Sequence, residues 1–311
     1  MPAESVQDLA FMRFRPEQSI AEALAVMTRV FAEEGIESAP RDARFLLQGI
    51  LGADGAELLS GSARPLGDFA ERVSDAVRRR LAHEPVSRIL GRREFYGRGF
   101  IVTPDVLDPR PDSEAVIDLA LDIVKSSGLS GRPLSIADVG TGSGILIATM
   151  LAELPGAKGV ATDISPAALD VARRNAERLG VADRISFVAT SGLDGCPGPF
   201  DLLISNPPYI SRGEIALLER EVRDFDPLQA LDGGADGLGV YREIARNALE
   251  LQRPLRIVLE VGWTQADAVE AIFVAVGASP LDRRRDLGGH VRAVALEIHL
   301  PNRTDHFYLR K

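Results

Sequence analysis

From Ser19 to about Glu84 apolar residues recur at helical spacing, whereas from Leu134 onward short β-branched runs alternate with helical patterns. The pattern predicts an all-α part followed by a larger α/β part. "SIAEALAVMTRVFAEEG" opens with Ser19 and Glu22 at capping-box spacing and closes on Gly35, where a helix would end. "APRDARFLLQGILG", "DGAELLSG" and "GDFAERVSDAVRRRLAHE" continue it, giving a small helical domain over residues 16–85. Between Pro85 and Pro111 the period changes. "REFYGRGFIVTPDVL" alternates aromatic and β-branched residues around Gly97 and Gly99 as a β-hairpin does, which makes residues 86–110 the connector. Residues 111–300 form the second domain: a helix, "DSEAVIDLALDIVKSSG", leads into "LSIADV", "GILIATMLAEL", "KGVATD", "SPAALDVARRNAERLG", "RISFVA" and "FDLLIS". That alternation predicts a mainly parallel sheet with helices on both faces, completed by "LRIVLEV", "TQADAVEAIFVAVG" and "VRAVALEIHL".

Composition narrows the class. With 311 residues, 45% hydrophobic and 26% charged, the chain reads as a soluble globular protein. A net charge of −9 repels phosphate backbones, so nucleic acid is not the default partner. Cys196 is the single cysteine, and His83, His290, His299 and His306 lack metal-ligand spacing, so no disulfide and no metal site are expected and a reducing cytoplasm fits. The start, "MPAESVQDLAFMRFRPEQ", lacks a basic segment before an apolar core, and the apolar run "ILIATMLA" is short of a bilayer span; neither secretion nor membrane insertion is expected.

The candidate chemistry lies at strand ends. "LSIADV" runs directly into Gly140-Thr141-Gly142-Ser143-Gly144 and then a helix, where glycines let the backbone turn sharply and approach a ligand. The spacing is G-x-G-x-G, not the dinucleotide G-x-G-x-x-G, which argues against NAD. The next strand ends at Asp163, about 20 residues on, where a carboxylate can accept from both hydroxyls of a ribose. Ser165 as N-cap and Pro166 as first helical residue start the following helix.

"FDLLIS" stops at Asn206-Pro207-Pro208-Tyr209, again at a strand's carboxyl end. Two prolines stiffen the turn and leave the Pro207 carbonyl open to an outside donor. With the Asn206 amide oxygen it makes two fixed acceptors suited to both hydrogens of a planar NH₂ group, and the Tyr209 ring can stack on that plane. An amide nitrogen is a poor nucleophile, so the site needs an activated methyl group. Asn-Pro-Pro-Tyr in this position resembles the signature of S-adenosylmethionine-dependent methyltransferases that modify planar nitrogens.

"EPVSRILGRREFYGRGFIVTPDVLDPRPDSEAVID" narrows the likeness. With "IADVGTGSGILIATM", "ATDISPAALDVARRNAERLG", "DLLISNPPYIS", "EVRDFDPLQALDGGADGLGVYREI" and "RRRDLGGHVRAVAL", it resembles the release-factor glutamine methyltransferases from Ser19 to Leu300. The resemblance implies a Rossmann-like methyltransferase sheet behind a helical substrate-docking domain, with S-adenosylmethionine at Gly140 to Gly144 and Asp163. It implies the glutamine of a release factor's Gly-Gly-Gln loop as substrate. Asn206 and the Pro207 carbonyl would hold the glutamine NH₂, Pro208 and Tyr209 would shape the slot, and Asn206 would also border the cofactor. A monomer is expected, with no direct nucleic-acid contact. Asp108 stands where the family usually has a hydrophobic residue, and Asp112 and Ser113 replace a usual acidic residue and threonine. Thr190, Ser191 and Gly192 replace an acidic or polar residue and tryptophan near the adenine, leaving Ser191 as the adenine contact. A ribosomal-protein glutamine methyltransferase, a nucleic-acid amino-group methyltransferase and a binding-only relative are the alternatives.

Arginines crowd Arg72 to Arg98 and Arg283 to Arg285; a solvated helix face and a basic docking surface both fit. Cys196 reads as passive, Trp263 as buried near the sheet edge, and the last residues, "PNRTDHFYLRK", as a fraying tail.

Overall fold

In the computed structural model, which describes residues 12–299 apart from 130, 197, 252 and 253, the capping box is formed. The Glu22 amide donates to Ser19 Oγ at 3.2 Å and the Ser19 amide donates to the Glu22 carboxylate at 2.8 Å, starting the helix Ile20–Glu33. Its apolar face packs with those of Ala39–Leu51 and Ala70–Leu81, joining Met27, Phe31, Leu46, Leu47, Val73 and Val77 in one cluster. Val86–Leu90 is a further helical turn ahead of the hairpin. Two units result: residues up to Arg92 together with Arg220–Phe225, and the remainder. The tail that would fray lies outside the described residues.

The arginine cluster at the end of Ala70–Leu81 is not uniformly solvated. Arg78 pairs with Asp75 at 3.0 Å and Arg79 with Glu84 at 2.6 Å. Arg80 is 1% exposed and held by Asp42 at 2.9 Å and Glu221 at 2.5 Å.

The hairpin pairs β1 (Arg92–Phe95) with β2 (Arg98–Ile101). Tyr96 (φ 50°) and Gly97 (φ 70°) form its two-residue loop, both in the left-handed region that matches the twist of the flanking strands. The remaining strands are β3 (Ser135–Val139), β4 (Lys158–Asp163), β5 (Ile185–Ala189), β6 (Leu202–Ser205), β7 (Leu255–Glu260), β8 (Ala278–Arg285) and β9 (Val291–Ile298). They form one sheet in the order β5-β4-β3-β6-β7-β9-β8, parallel from β5 to β7, with β9 and β8 antiparallel. Helices cover both faces, and alternation along the fully buried β6 sends Leu202 and Ile204 into one apolar cluster and Leu203 into the other.

The hydrophobic pattern gives no sign of β8. It is an exposed edge strand carrying Pro280 and Arg283 to Arg285, residues that blunt edge-to-edge pairing. Its arginines are engaged: Arg283 with Asp267 at 2.7 Å and Glu270 at 2.6 Å, Arg284 with Asp122, and Arg285 with the Gly289 carbonyl at 2.6 Å. Among the described residues no helix is long and apolar enough to cross a membrane.

Candidate active site

β4 and β5 lie on one side of β3 and β6 and β7 on the other, so the strand order reverses between β3 and β6. Crevices at such switch points bind ligands in open α/β sheets. Here a cavity of about 570 Å³ opens, lined by Gly140 to Ser143, Asp163, Ser191, Asn206 and Pro208 among others.

The glycine turn is built for backbone approach. Gly140, Gly142 and Gly144 take φ of 69°, 54° and 77°, values that side chains rarely adopt. A Cβ on Gly144 would meet Ala172 Cβ at 3.0 Å, which lets the helices Ile145–Glu153 and Pro166–Arg178 approach closely. The turn is pinned by the Thr141 amide donating to the Thr162 carbonyl at 2.8 Å and the Asn175 side chain donating to the Ser143 carbonyl at 2.9 Å. Asp163 accepts from the Gly142 amide and the Ser165 amide, each at 2.9 Å, one per carboxylate oxygen, which leaves further lone pairs for a ligand's hydroxyls. These residues fit S-adenosylmethionine: a backbone cradle that side chains would fill, beside an anchored carboxylate. Replacing Asp163 by alanine is expected to weaken S-adenosylmethionine binding about tenfold to a hundredfold, as loss of hydrogen bonds to a charged group does. Isothermal titration checks it.

Asp138 was not singled out in the sequence, yet it supports this turn from below. It is fully buried, accepts the Thr141 hydroxyl at 2.6 Å, and its Oδ1 has no partner. Burial pushes its carboxyl up to about 7, against the pull of the Thr141 hydroxyl and the Ile147 amide dipole. A folded value above the unfolded one, about 3.9, means folding retains the proton, so its stabilising contribution is complete below pH about 4 and is lost as pH rises to about 7. Asp138→Asn should therefore flatten the decline in melting temperature between pH 5 and pH 8, where each kcal/mol is worth roughly 2–4 °C in a domain of this size. Calorimetric scans without cofactor measure it.

The Asn-Pro-Pro-Tyr turn follows β6 as its position in the sequence implies. Asn206 Nδ2 donates to Ser113 Oγ at 3.3 Å. Among the described residues no donor occupies Asn206 Oδ1 or the Pro207 carbonyl, so both acceptors stay available. Asn206 and Pro208 line the cavity; Pro207 is buried and Tyr209 is half-buried, its carbonyl accepting from Gln265 at 2.9 Å. Burial pushes the Tyr209 hydroxyl well above its ordinary range. Glycines of "LDGGADGL" press on this turn: a Cβ on Gly233 would lie 2.8 Å from the Pro208 carbonyl, and one on Gly237 would overlap the Tyr209 carbonyl. Asp108, unusual for its place, is 1% exposed, and its amide donates to Asp226, which also takes Arg110 at 2.9 Å. That ties down the Pro109-Arg110-Pro111 turn on the cavity wall.

Ser191 lines the cavity, but its hydroxyl donates to Glu243, so its side chain is engaged within the wall. Cys196 is partly buried, its thiol pushed up by burial, as a passive residue's would be. Trp263 departs from expectation: it is 65% exposed, its ring edge-on to His290 at 5.5 Å, because the chain leaves the sheet immediately after β7. Besides Asp138, the sequence pattern left Asn175, Asp226 and Glu260 unmarked. Only Glu260 carries a local sign, a polar residue inside the apolar run "LRIVLEV".

A Rossmann-like sheet with a glycine turn and a cavity at the switch point belongs to an S-adenosylmethionine-dependent methyltransferase. The family models agree: PrmC N-terminal domain matches residues 22–91 and Methyltransferase small domain matches residues 115–222. A release factor glutamine methyltransferase of Bradyrhizobium diazoefficiens is 44% identical, covering 89% of this chain and 94% of its own. Another, from Cereibacter sphaeroides, is 42% identical, covering 89% of this chain and 98% of its own. The hMettl16 catalytic domain, solved in complex with a MAT2A 3'UTR hairpin, shares the fold with a TM-score of 0.52 at 16% identity, covering 76% of this chain and 82% of that one. The chain belongs to the release factor glutamine methyltransferase family.

Proposed function

We propose that this enzyme methylates the side-chain amide nitrogen (N5) of the glutamine in the Gly-Gly-Gln loop of peptide-chain release factors. The observation that carries the chemistry is the open acceptor pair, Asn206 Oδ1 and the Pro207 carbonyl, beside the glycine cradle; the relatives' names supply the substrate. Gly140 to Gly144 and Asp163 hold S-adenosylmethionine, which when bound supplies an electrophilic methyl group on a sulfonium. Asn206 and Pro207 each accept one N–H of the glutamine amide, fixing the NH₂ plane and leaving the nitrogen's remaining face for attack. Pro208 and Tyr209 wall the slot and exclude water. Positioning and desolvation carry the rate, with no strong base assigned; the nitrogen sheds its proton after transfer. Residues 16–85 serve as the docking domain for the release factor. The enzyme works as a cytoplasmic monomer and, at net charge −9, without nucleic acid.

Intact-peptide mass spectrometry of a purified release factor incubated with the enzyme and S-adenosylmethionine tests this. One added methyl group on the Gly-Gly-Gln glutamine is the expected result. No increment despite cofactor binding overturns the assignment and turns attention to ribosomal protein.

A further inference from the structure

The strand order β5-β4-β3-β6 sets the direction in which a cofactor can lie. With the ribose at Asp163 after β4 and the reacting methyl facing Asn206 after β6, the adenine has to continue the opposite way, toward the end of β5. The cavity extends there. Its wall beyond Asp163 is made by Ile164, by Ser191 and Gly192 after β5, and by Val240, Glu243 and Ile244 of the helix Gly239–Glu250. A purine offers such a wall two apolar faces and, at its edge, a C6 amino group with two N–H donors. Val240, Glu243 and Ile244 stand at i, i+3 and i+4, so one helix face presents two aliphatic side chains beside a carboxylate.

That carboxylate is held in place without being used up. The Ser191 hydroxyl donates to Glu243 Oε1, and among the described residues it is the one hydrogen-bond or ion-pair partner Glu243 has. Two carboxylate oxygens carry about four acceptor sites, so Oε2 stays open to a donor from the cavity. Ser191 is itself fixed from both sides: the Thr190 amide donates to the Asp163 carbonyl at 3.1 Å, and the Thr162 hydroxyl donates to the Gly192 carbonyl at 2.8 Å. Gly192 brings the helix close. It takes φ of 66°, and a Cβ there would lie 1.9 Å from Asn247 Nδ2, so a larger residue would have to displace the Asn247 side chain that closes on this loop.

We propose that Glu243 reads the adenine of S-adenosylmethionine, its open carboxylate oxygen accepting an N–H of the C6 amino group, with Ser191 as the positioning residue that holds the carboxylate toward the cavity. The contact is made by a helix that follows β6 in the chain, not by the loop after β5 where the polar side chain is expected. Selectivity follows from charge: a base with oxygen at C6 turns a lone pair toward the carboxylate and is rejected. The inference rests on Asp163 as the ribose anchor and not on glutamine as the substrate.

Isothermal titration with S-adenosylhomocysteine and S-inosylhomocysteine, which carries oxygen in place of the C6 amino group, measures the contact without turnover. The parent should favour the adenosyl ligand about tenfold to a hundredfold, the cost of losing a hydrogen bond to a charged group. Glu243→Gln can turn either its oxygen or its nitrogen to the base, so its ratio should fall to near one. Glu243→Ala should weaken the adenosyl ligand to about the level of the inosyl one. Ser191→Ala should keep part of the ratio, because the acceptor remains but loses its support. Asp163→Ala should weaken both ligands equally and leave the ratio at the parental value. A ratio near one in the parent, or one unchanged in Glu243→Gln and Glu243→Ala, overturns the inference. Equal loss of both ligands in the Glu243 variants also overturns it, since a merely structural residue would behave that way. If Asp163→Ala alters neither affinity, the ribose reading falls and the Glu243 ratios still decide the adenine contact. No release factor enters the measurement, so failure of the glutamine reading leaves its outcome intact.

Discussion

Asn206→Ala is expected to lower kcat/KM for release-factor methylation by about a hundredfold to a thousandfold, the cost typical of removing one preorganised group from a reacting centre. The alanine leaves the Pro207 carbonyl as a single acceptor, so the glutamine amide can rotate about one hydrogen bond and its nitrogen spends little time aligned. Cofactor affinity should fall far less, because Gly140 to Gly144 and Asp163 are pinned by contacts that do not involve Asn206: Gly142 to Asp163 at 2.9 Å and Thr141 to Asp138 at 2.6 Å. Asn206→Asp is the sharper comparison. It keeps an acceptor oxygen but cannot donate to Ser113, and it sets a second carboxyl near Glu260, whose own carboxyl burial pushes up to about 7. Single-turnover rates with saturating cofactor, beside calorimetric affinities, separate the two effects. Equal losses in turnover and cofactor binding would make Asn206 a cofactor ligand and remove it from the acceptor role.

What could be read from the sequence is what local backbone chemistry dictates. Gly140, Gly142 and Gly144 are glycine because their φ values require it, Pro207 and Pro208 stiffen a turn wherever they occur, and Ser19 with Glu22 caps a helix from four consecutive residues. What escaped depends on register and burial between distant segments. Ser113, Asn206 and Glu260 come together only once β6 and β7 pair, and Asp226 reaches the Asp108 amide across 118 residues. Charged residues misled in both directions. The charges of β8 hid a strand because edge strands are selected against looking like strands, and Arg80, in a run of arginines, was counted with the surface although it is buried. Trp263 failed oppositely: a large apolar residue after a buried strand that the chain carries into solvent.

Arg80 gives the largest stability effect to be expected. Its Nε donates to Asp42 Oδ2 at 2.9 Å and its Nη2 to Glu221 at 2.5 Å, in a helical unit where Arg80 and Asp42 are 1% and 5% exposed. Forming such a pair gains little net free energy, because desolvating both charges offsets their attraction; breaking it is costly, because one charge stays behind unpaired. Arg80→Ala should therefore destabilise the helical unit by about 3–5 kcal/mol. Asp42 would keep the Ser38 hydroxyl at 2.7 Å and a more exposed Arg41 at 3.7 Å, which cannot replace a buried guanidinium. Arg80→Met should lose less, since the unbranched chain still fills the space of the arginine stem. Combining it with Asp42→Leu should recover most of the loss, because the stranded charge is then gone, whereas Asp42→Leu alone strands Arg80 and should approach the alanine variant in cost. Glu221→Gln should matter least, its side chain being 33% exposed and able to draw on water. Urea unfolding followed by far-ultraviolet circular dichroism measures the series. A recovery in the double variant identifies the stranded carboxylate as the source of the loss, while additive losses would assign it to the packing of the arginine stem.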